Sequence, residues 1–129
     1  MEITSNASQI ISQNQNVLFT ETPVSGNCSI MHREGSGLVT IRGLTQQQSR
    51  ARFRVTFGAN IAVPTGETAG PISLAIAING EPISTTTMIV TPTAVEAFFN
   101  VASSIFLDVP AGCCSSISVQ NTSTISVET

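Results

Sequence analysis

The chain has 129 residues, a net charge of −3 and a charged fraction of 10%, far below the ~25% of an ordinary soluble domain. That length fits one domain with a single core, and five arginines without a basic run argue against a nucleic-acid binder, which needs clustered cations to release counterions from phosphates. No apolar stretch reaches the ~18 residues of a membrane span, and the opening "MEITSNASQIISQNQN" carries an acid where a secretory signal would carry cations.

With Thr, Ser, Asn and Gln in place of charge, the surface is polar but weakly ionic. Such a surface suits packed assemblies, because neighbours repel each other little.

Residues 1–15 are Gln-, Asn- and Ser-rich, with only Ile3, Ile10 and Ile11 to bury. They are expected to form a polar arm ahead of a domain over 16–129, either flexible or ordered against a neighbouring subunit. Turn signals follow at "PVSGN" and "EGSG", and Gln46-Gln47-Gln48 reads as a loop tip. "RARFRVTF" alternates as a strand: Phe53, Val55 and Phe57 face one way, Arg50, Arg52, Arg54 and Thr56 the other. After the turn-rich "VPTGETAGP", the run "GPISLAIAING" sets Ile72, Leu74, Ile76 and Ile78 on one face and Ser73, Ala75, Ala77 and Asn79 on the opposite one. Asn79-Gly80 predicts a tight hairpin, since both residues tolerate positive φ. "TPTAVEAFF" has the composition for one helical turn.

"FNVASSIFLDVP" predicts a strand with Phe99, Val101, Ile105, Leu107 and Val109 together, and Phe98, Ala102, Phe106 and Asp108 pointing away. "SISVQNTSTISVET" predicts two short strands around Ile117/Val119 and Ile125/Val127, joined by a polar turn at 121–124. Short strands with Gly/Pro turns and no helix-length amphipathic segment make an all-β sandwich or barrel. Ala75, Ala77, Phe98 and Phe106 lie out of phase with the core, where charges would be usual, and are expected to form a subunit interface.

Chemistry-bearing residues are sparse. His32 is the sole histidine, and the acids are scattered with no pair at a spacing that suggests joint action. A hydrolase would need a nucleophile, a base and an orienting group, and a calcium loop clustered oxygen donors. Neither pattern is present, so no enzyme, metal or cofactor is expected. Arg50, Arg52 and Arg54 form the densest charge. They are read as a solvated strand face, as ion pairs to a neighbouring subunit, or as an anion site.

Three cysteines, an odd number, argue against a complete disulfide framework. Adjacent Cys113 and Cys114 sit ~3.8 Å apart at Cα, too close for an unstrained bridge. On a strand they also point to opposite faces, which denies them a common metal. Cys113 is in phase with Ile117 and Val119 and is expected in the core, while Cys114 points outward or toward a subunit contact. Buried free thiols, a disulfide from Cys28 to one of them, and an intersubunit or redox role all stay open.

From Arg50 onward the chain resembles the jelly-roll domains of the complement-q and tumour-necrosis-factor-like superfamily. Its bacterial and phage members, such as the C-terminal domains of collagen-like exosporium glycoproteins, are the nearest likeness. The resemblance rests on "ARFRVTFGANI", "ISLAIAINGEPI" and "IFLDVPAGCCSSISVQNTS", with "NVLF" at 16–19 similar to the family's opening strand. It implies a single-domain antiparallel jelly-roll sandwich of about ten strands, assembled as a homotrimer with one sheet face lining the three-fold axis. The collagen-like stalk is absent. The last strand stops at Thr129, short of what the family offers, so its place is either open or filled by another chain.

The function expected is therefore structural: a trimeric module decorating a phage capsid or forming a fibre or tail tip, located in a virion or on the outer surface of a bacterial particle. Its partners would be its own copies and other virion or surface-layer proteins, without nucleic acid or membrane. The alternatives are a spore exosporium or surface-layer component, and a module that binds a glycan or host receptor.

Overall fold

Twelve residues of strict alternation, Arg50–Ile61, make the longest uninterrupted strand pattern in the sequence, and they pair along their whole length. The computed structural model describes residues 1–26, 29–43, 50–110 and 114–129, with Arg50 described through its backbone alone. The strands in chain order are β1 (Glu2–Thr4), β2 (Ile10–Ile11), β3 (Glu21–Val24), β4 (Ile30–His32), β5 (Val39–Arg42), β6 (Arg50–Ile61), β7 (Ile72–Ile78), β8 (Glu81–Pro82), β9 (Met88–Val90), β10 (Phe99–Pro110), β11 (Cys114–Asn121) and β12 (Val127–Glu128). One 3₁₀ turn, Ser84–Thr86, is the only helical element among the described residues.

All strand pairs are antiparallel, and the chain is an all-β protein with the layering of a sandwich. The larger sheet runs β4-β5-β11-β7-β8, with β9 also pairing β7. The β6–β10 ladder keeps one register from Arg50↔Pro110 to Ile61↔Phe99. At the end of β6, Ala62 and Glu128 exchange both backbone hydrogen bonds, at 2.8 and 2.9 Å, which joins β12 to that ladder. β12 in turn pairs β2, so the second array reads β2-β12-β6-β10.

Ile41, Ile72, Leu74, Ile76, Ile117 and Val119 of the larger sheet meet Phe57, Ile61, Val101 and Val109 of the second array in one buried cluster. Each of these lies on the face that the period-two pattern assigns inward. Burial at roughly 25 cal/mol per Å² of apolar surface makes this cluster the main stabilising term.

Local chemistry accounts for the joints. Asn79 (φ 54°) and Gly80 (φ 84°) both take positive φ, as a tight hairpin between β7 and β8 requires. Asn79 Oδ1 also accepts the Ser116 N–H at 2.9 Å. Between its pairings with β8 and β9, β7 loses a ladder partner at Ile76; the buried Thr86 hydroxyl accepts that N–H at 3.0 Å. Asn121, fully buried, donates from Nδ2 to the Ile11 and Ile125 carbonyls at 2.8 and 3.0 Å. Its Oδ1 accepts the Ser123 N–H at 2.9 Å and the Ser123 hydroxyl.

Several expectations change. Residues 1–15 are not a detached arm: β2 pairs β12, Ile11 is buried, and Asn14 and Gln15 bond the backbone of Asn121. Its few apolar residues suffice because backbone pairing, rather than a large core face, holds the segment. "TPTAVEAFF" makes turns and no helix, with Glu96 at φ 59°. Phe99, although in phase with the core, is half exposed at the first position of β10.

Candidate functional site

The outer face of the β6–β10 ladder collects the side chains that alternate away from the core. Register places Arg52 opposite Asp108, Arg54 opposite Phe106, Thr56 opposite Ser104 and Asn60 opposite Asn100. Its polar groups bond one another. Arg52 Nε and Nη2 donate to Asp108 Oδ1 and Oδ2 at 2.8 and 3.2 Å. Arg54 Nε and the Thr56 hydroxyl both donate to Ser104 Oγ, at 3.2 and 3.3 Å, and Asn100 Nδ2 donates to Asn60 Oδ1 at 3.2 Å. The hydrogen bond to Asp108, then its charge, raise the Arg52 pKa above its ordinary value.

Onto this polar ground projects Phe106, at 67% exposure, and Phe98, at 49%, is exposed just before β10 begins. A large aromatic left in water on a face whose polar groups are already paired loses little and gains much when that face is covered. Two other residues expected there do not contribute. Ala75 and Ala77 have 0% exposure: in register with Gln120, and with Ser118 and Pro82, their methyl groups are short enough for the chain itself to cover them. The patch is therefore smaller than the sequence predicts.

Arg52, read as an intersubunit ion-pair candidate, has its acid within the chain. Arg54 meets a neutral hydroxyl, and the Arg50 side chain lies outside what is described. Cys114 is exposed and free, and so is bridged to neither other cysteine. Cys28 and Cys113 lie outside the described residues. His32 packs edge-on against Phe19 with ring centroids 6.3 Å apart, and its Nε2 lies 2.9 Å from the Ser36 carbonyl oxygen. That is the setting of an anchored residue at the end of β4.

Sequence reasoning missed one carboxyl pair. The Glu96 and Glu128 carboxyls are near enough for a hydrogen bond between them to shift both titrations. Glu128 is held above the usual carboxylate range by that bond first and burial second. Glu96 is held below it, by the same bond and by Thr65, whose N–H and hydroxyl donate at 3.1 and 2.8 Å. No spacing of these residues could signal the pair, because it depends on β12 docking beside β6. Among the described residues no three His, Cys, Asp or Glu side chains group as a metal site.

A second feature is an apolar cleft of about 270 Å³ beside β6. It is lined by Phe53 and Phe57, by Ile41 and Ile117 of the larger sheet, and by Met1 to Ile3. The described residues include no helix long and apolar enough to cross a membrane. No protein-family model matches the chain, and no curated protein matches it either.

Proposed function

We propose that this chain is a structural jelly-roll module of the complement-q and tumour-necrosis-factor-like kind, without catalytic activity. It associates as a homotrimer through the outer face of the β6–β10 ladder. The observation that carries this reading is the 67% exposure of Phe106 on a face whose polar side chains hydrogen-bond one another, with Phe98 exposed just before β10 begins. Covering this face buries Arg52 together with its acid and Arg54 against a hydroxyl partner, which limits the desolvation cost of association. The strand order β2-β12-β6-β10 opposite β4-β5-β11-β7-β9 supports a jelly roll, in which the chain alternates between two antiparallel sheets.

The biological setting follows from the weakly charged surface and the self-association: a module that decorates a phage capsid or caps a fibre, packed among copies of itself and other particle proteins. A spore surface would use the same module. Light scattering of the purified chain tests the association. A trimer of the 13.5 kDa chain is the expected species, and a monomer at micromolar concentration overturns the proposal. Proteomics of purified virions against spore coats then separates the two settings.

A further inference from the structure

The outer face of the β6–β10 ladder has a gap in its rows of side chains. Along the register, Arg54 stands opposite Phe106, Thr56 opposite Ser104, Gly58 opposite Ala102 and Asn60 opposite Asn100. Gly58 and Ala102 are both exposed, so between the Thr56–Ser104 and Asn60–Asn100 pairs the face falls to backbone and one methyl group. From Thr56 to Asn60 the strand advances about 13 Å, at ~3.3 Å per residue, which leaves the width of an aromatic ring between the two pairs. Each pair is tied across the ladder. The Thr56 hydroxyl donates to Ser104 Oγ at 3.3 Å and Asn100 Nδ2 to Asn60 Oδ1 at 3.2 Å, so the recess has fixed walls.

Nothing within the chain calls for the glycine. Gly58 does not take positive φ, and a Cβ there would meet only the Val101 carbonyl oxygen, at an ordinary 3.8 Å. Inside a strand a glycine loses more backbone entropy than other residues and packs no side chain. Its use in a strand interior is to let another surface come close.

We propose that this recess receives the Phe106 ring of a neighbouring copy. The inference rests on the reading of this face as the association surface, and it adds which side chain meets which. Three observations identify the occupant. First, Phe106 is the one aromatic side chain that projects from the outer positions of the ladder, at 67% exposure.

Second, hydrogen-bonding capacity is complementary between the two places. Arg54, opposite Phe106, donates from Nε to Ser104 Oγ, and among the described residues its terminal nitrogens have no acceptor. On the recess wall Asn100 gives its Nδ2 to Asn60, and its Oδ1 has no donor among the described residues. A ring set into the recess of the next copy carries Arg54 toward that wall, where unused donors of a cation meet an unused acceptor.

Third, Phe106 and Ala102 are separated along β10 by about 13 Å, so a chain cannot fill its own recess. A ring at one place and a recess at another make a head-to-tail contact, the kind that closes into a ring of copies.

The test is an intermolecular nuclear Overhauser measurement on the wild-type chain, mixing protein labelled at alanine methyl groups with protein labelled at phenylalanine rings. A cross-peak between Phe106 and the Ala102 methyl is the expected result, and it can arise only between copies. An associated chain whose Phe106 rings meet one another without touching Ala102 overturns the inference, while the association reading stands. Gly58→Val gives a second readout. Valine suits a strand and has room here, so in a Phe106→Asp background, which does not associate, the thermal midpoint should hold or rise. In the otherwise wild-type chain the same substitution should weaken self-association about tenfold or more, measured by sedimentation. Adding Phe106→Ala to Gly58→Val should then cost little further, because both remove one contact. Unchanged association in Gly58→Val overturns the inference, as do fully additive effects. A wild-type chain that stays monomeric at micromolar concentration overturns the association reading and this inference together.

Discussion

Arg52 and Asp108 stand directly opposite each other in the β6–β10 ladder and close a two-pronged ion pair, with Nε–Oδ1 at 2.8 Å and Nη2–Oδ2 at 3.2 Å. Their sequence separation of 56 hides the pairing from any local pattern. Both groups face solvent, so the pair adds little to the stability of a single chain. Its effect is to neutralise Arg52 on the face from which Phe106 projects.

Asp108→Asn should therefore leave the thermal midpoint of the isolated chain almost unchanged while it weakens self-association by about tenfold or more, since Arg52 would be covered without its acid. Analytical ultracentrifugation over a concentration series measures the second effect, and added salt should narrow the gap between variant and wild type. Equal association constants for the two proteins would mean that this face is not the contact.

Phe106→Asp separates folding from assembly. At 67% exposure the ring contributes little to the chain's own core, so stability should move by no more than about 0.5 kcal/mol. The sedimenting species should fall to a monomer. Ile76→Ala is the contrast, because Ile76 is fully buried: it should cost about 2–5 kcal/mol whatever the oligomeric state.

Asn121 holds β2 and the turn before β12 through its side-chain amide. Asn121→Ala leaves the buried Ile11 carbonyl and the Ser123 N–H without their partner and should cost about 2–4 kcal/mol. Asn121→Asp should lose a comparable amount at neutral pH, because a carboxylate cannot donate to two carbonyls. Urea titrations of the three proteins give the comparison, and an unchanged midpoint in either variant would contradict this role.

Glu96 and Glu128 predict a stability optimum in mild acid. Glu128 has its folded pKa raised, so its contribution is complete below the unfolded value and is lost as pH rises through the folded one. Glu96 has its folded pKa lowered, so its contribution is present above the unfolded value and is lost as pH falls through the folded one. The two limbs meet near the ordinary carboxylate value of about 4.3. Glu128→Gln should remove the loss on the neutral side while its amide still donates to Glu96, which raises the melting temperature at pH 7 relative to wild type. Thermal scans from pH 3 to 7 check both the optimum and its disappearance.

Cys114 is exposed and free at the start of β11. A fast alkylating reagent should label it in the native chain without denaturant, and peptide mapping should place the label there. Absence of label at Cys114 under native conditions would show that this strand end is covered in solution.

The long strands were legible because their faces follow from local alternation: Phe53, Val55 and Phe57 inward, Phe106 outward, and the same for Ile72, Leu74 and Ile76. Short strands such as Val39–Arg42 and Met88–Val90 carry too few alternating residues to stand out, and only their neighbours β11 and β7 make them strands. Ala75 and Ala77 show the limit of the method on the other side. Phase alone puts them outward, yet an alanine's exposure is decided by the side chains beside it.

By itself, the sequence determined the all-β class, the inward faces of the long strands and the Asn79–Gly80 hairpin. Each of these depends on residues within a few positions of one another, through strand periodicity or the φ a residue tolerates. Only the tertiary structure decided that residues 1–15 pair into the fold, that Arg52 meets Asp108, and that Glu96 meets Glu128. Those features come from strand neighbours that lie far apart in the chain, and pairing between distant strands is chosen by burial of the whole core rather than by any local signal.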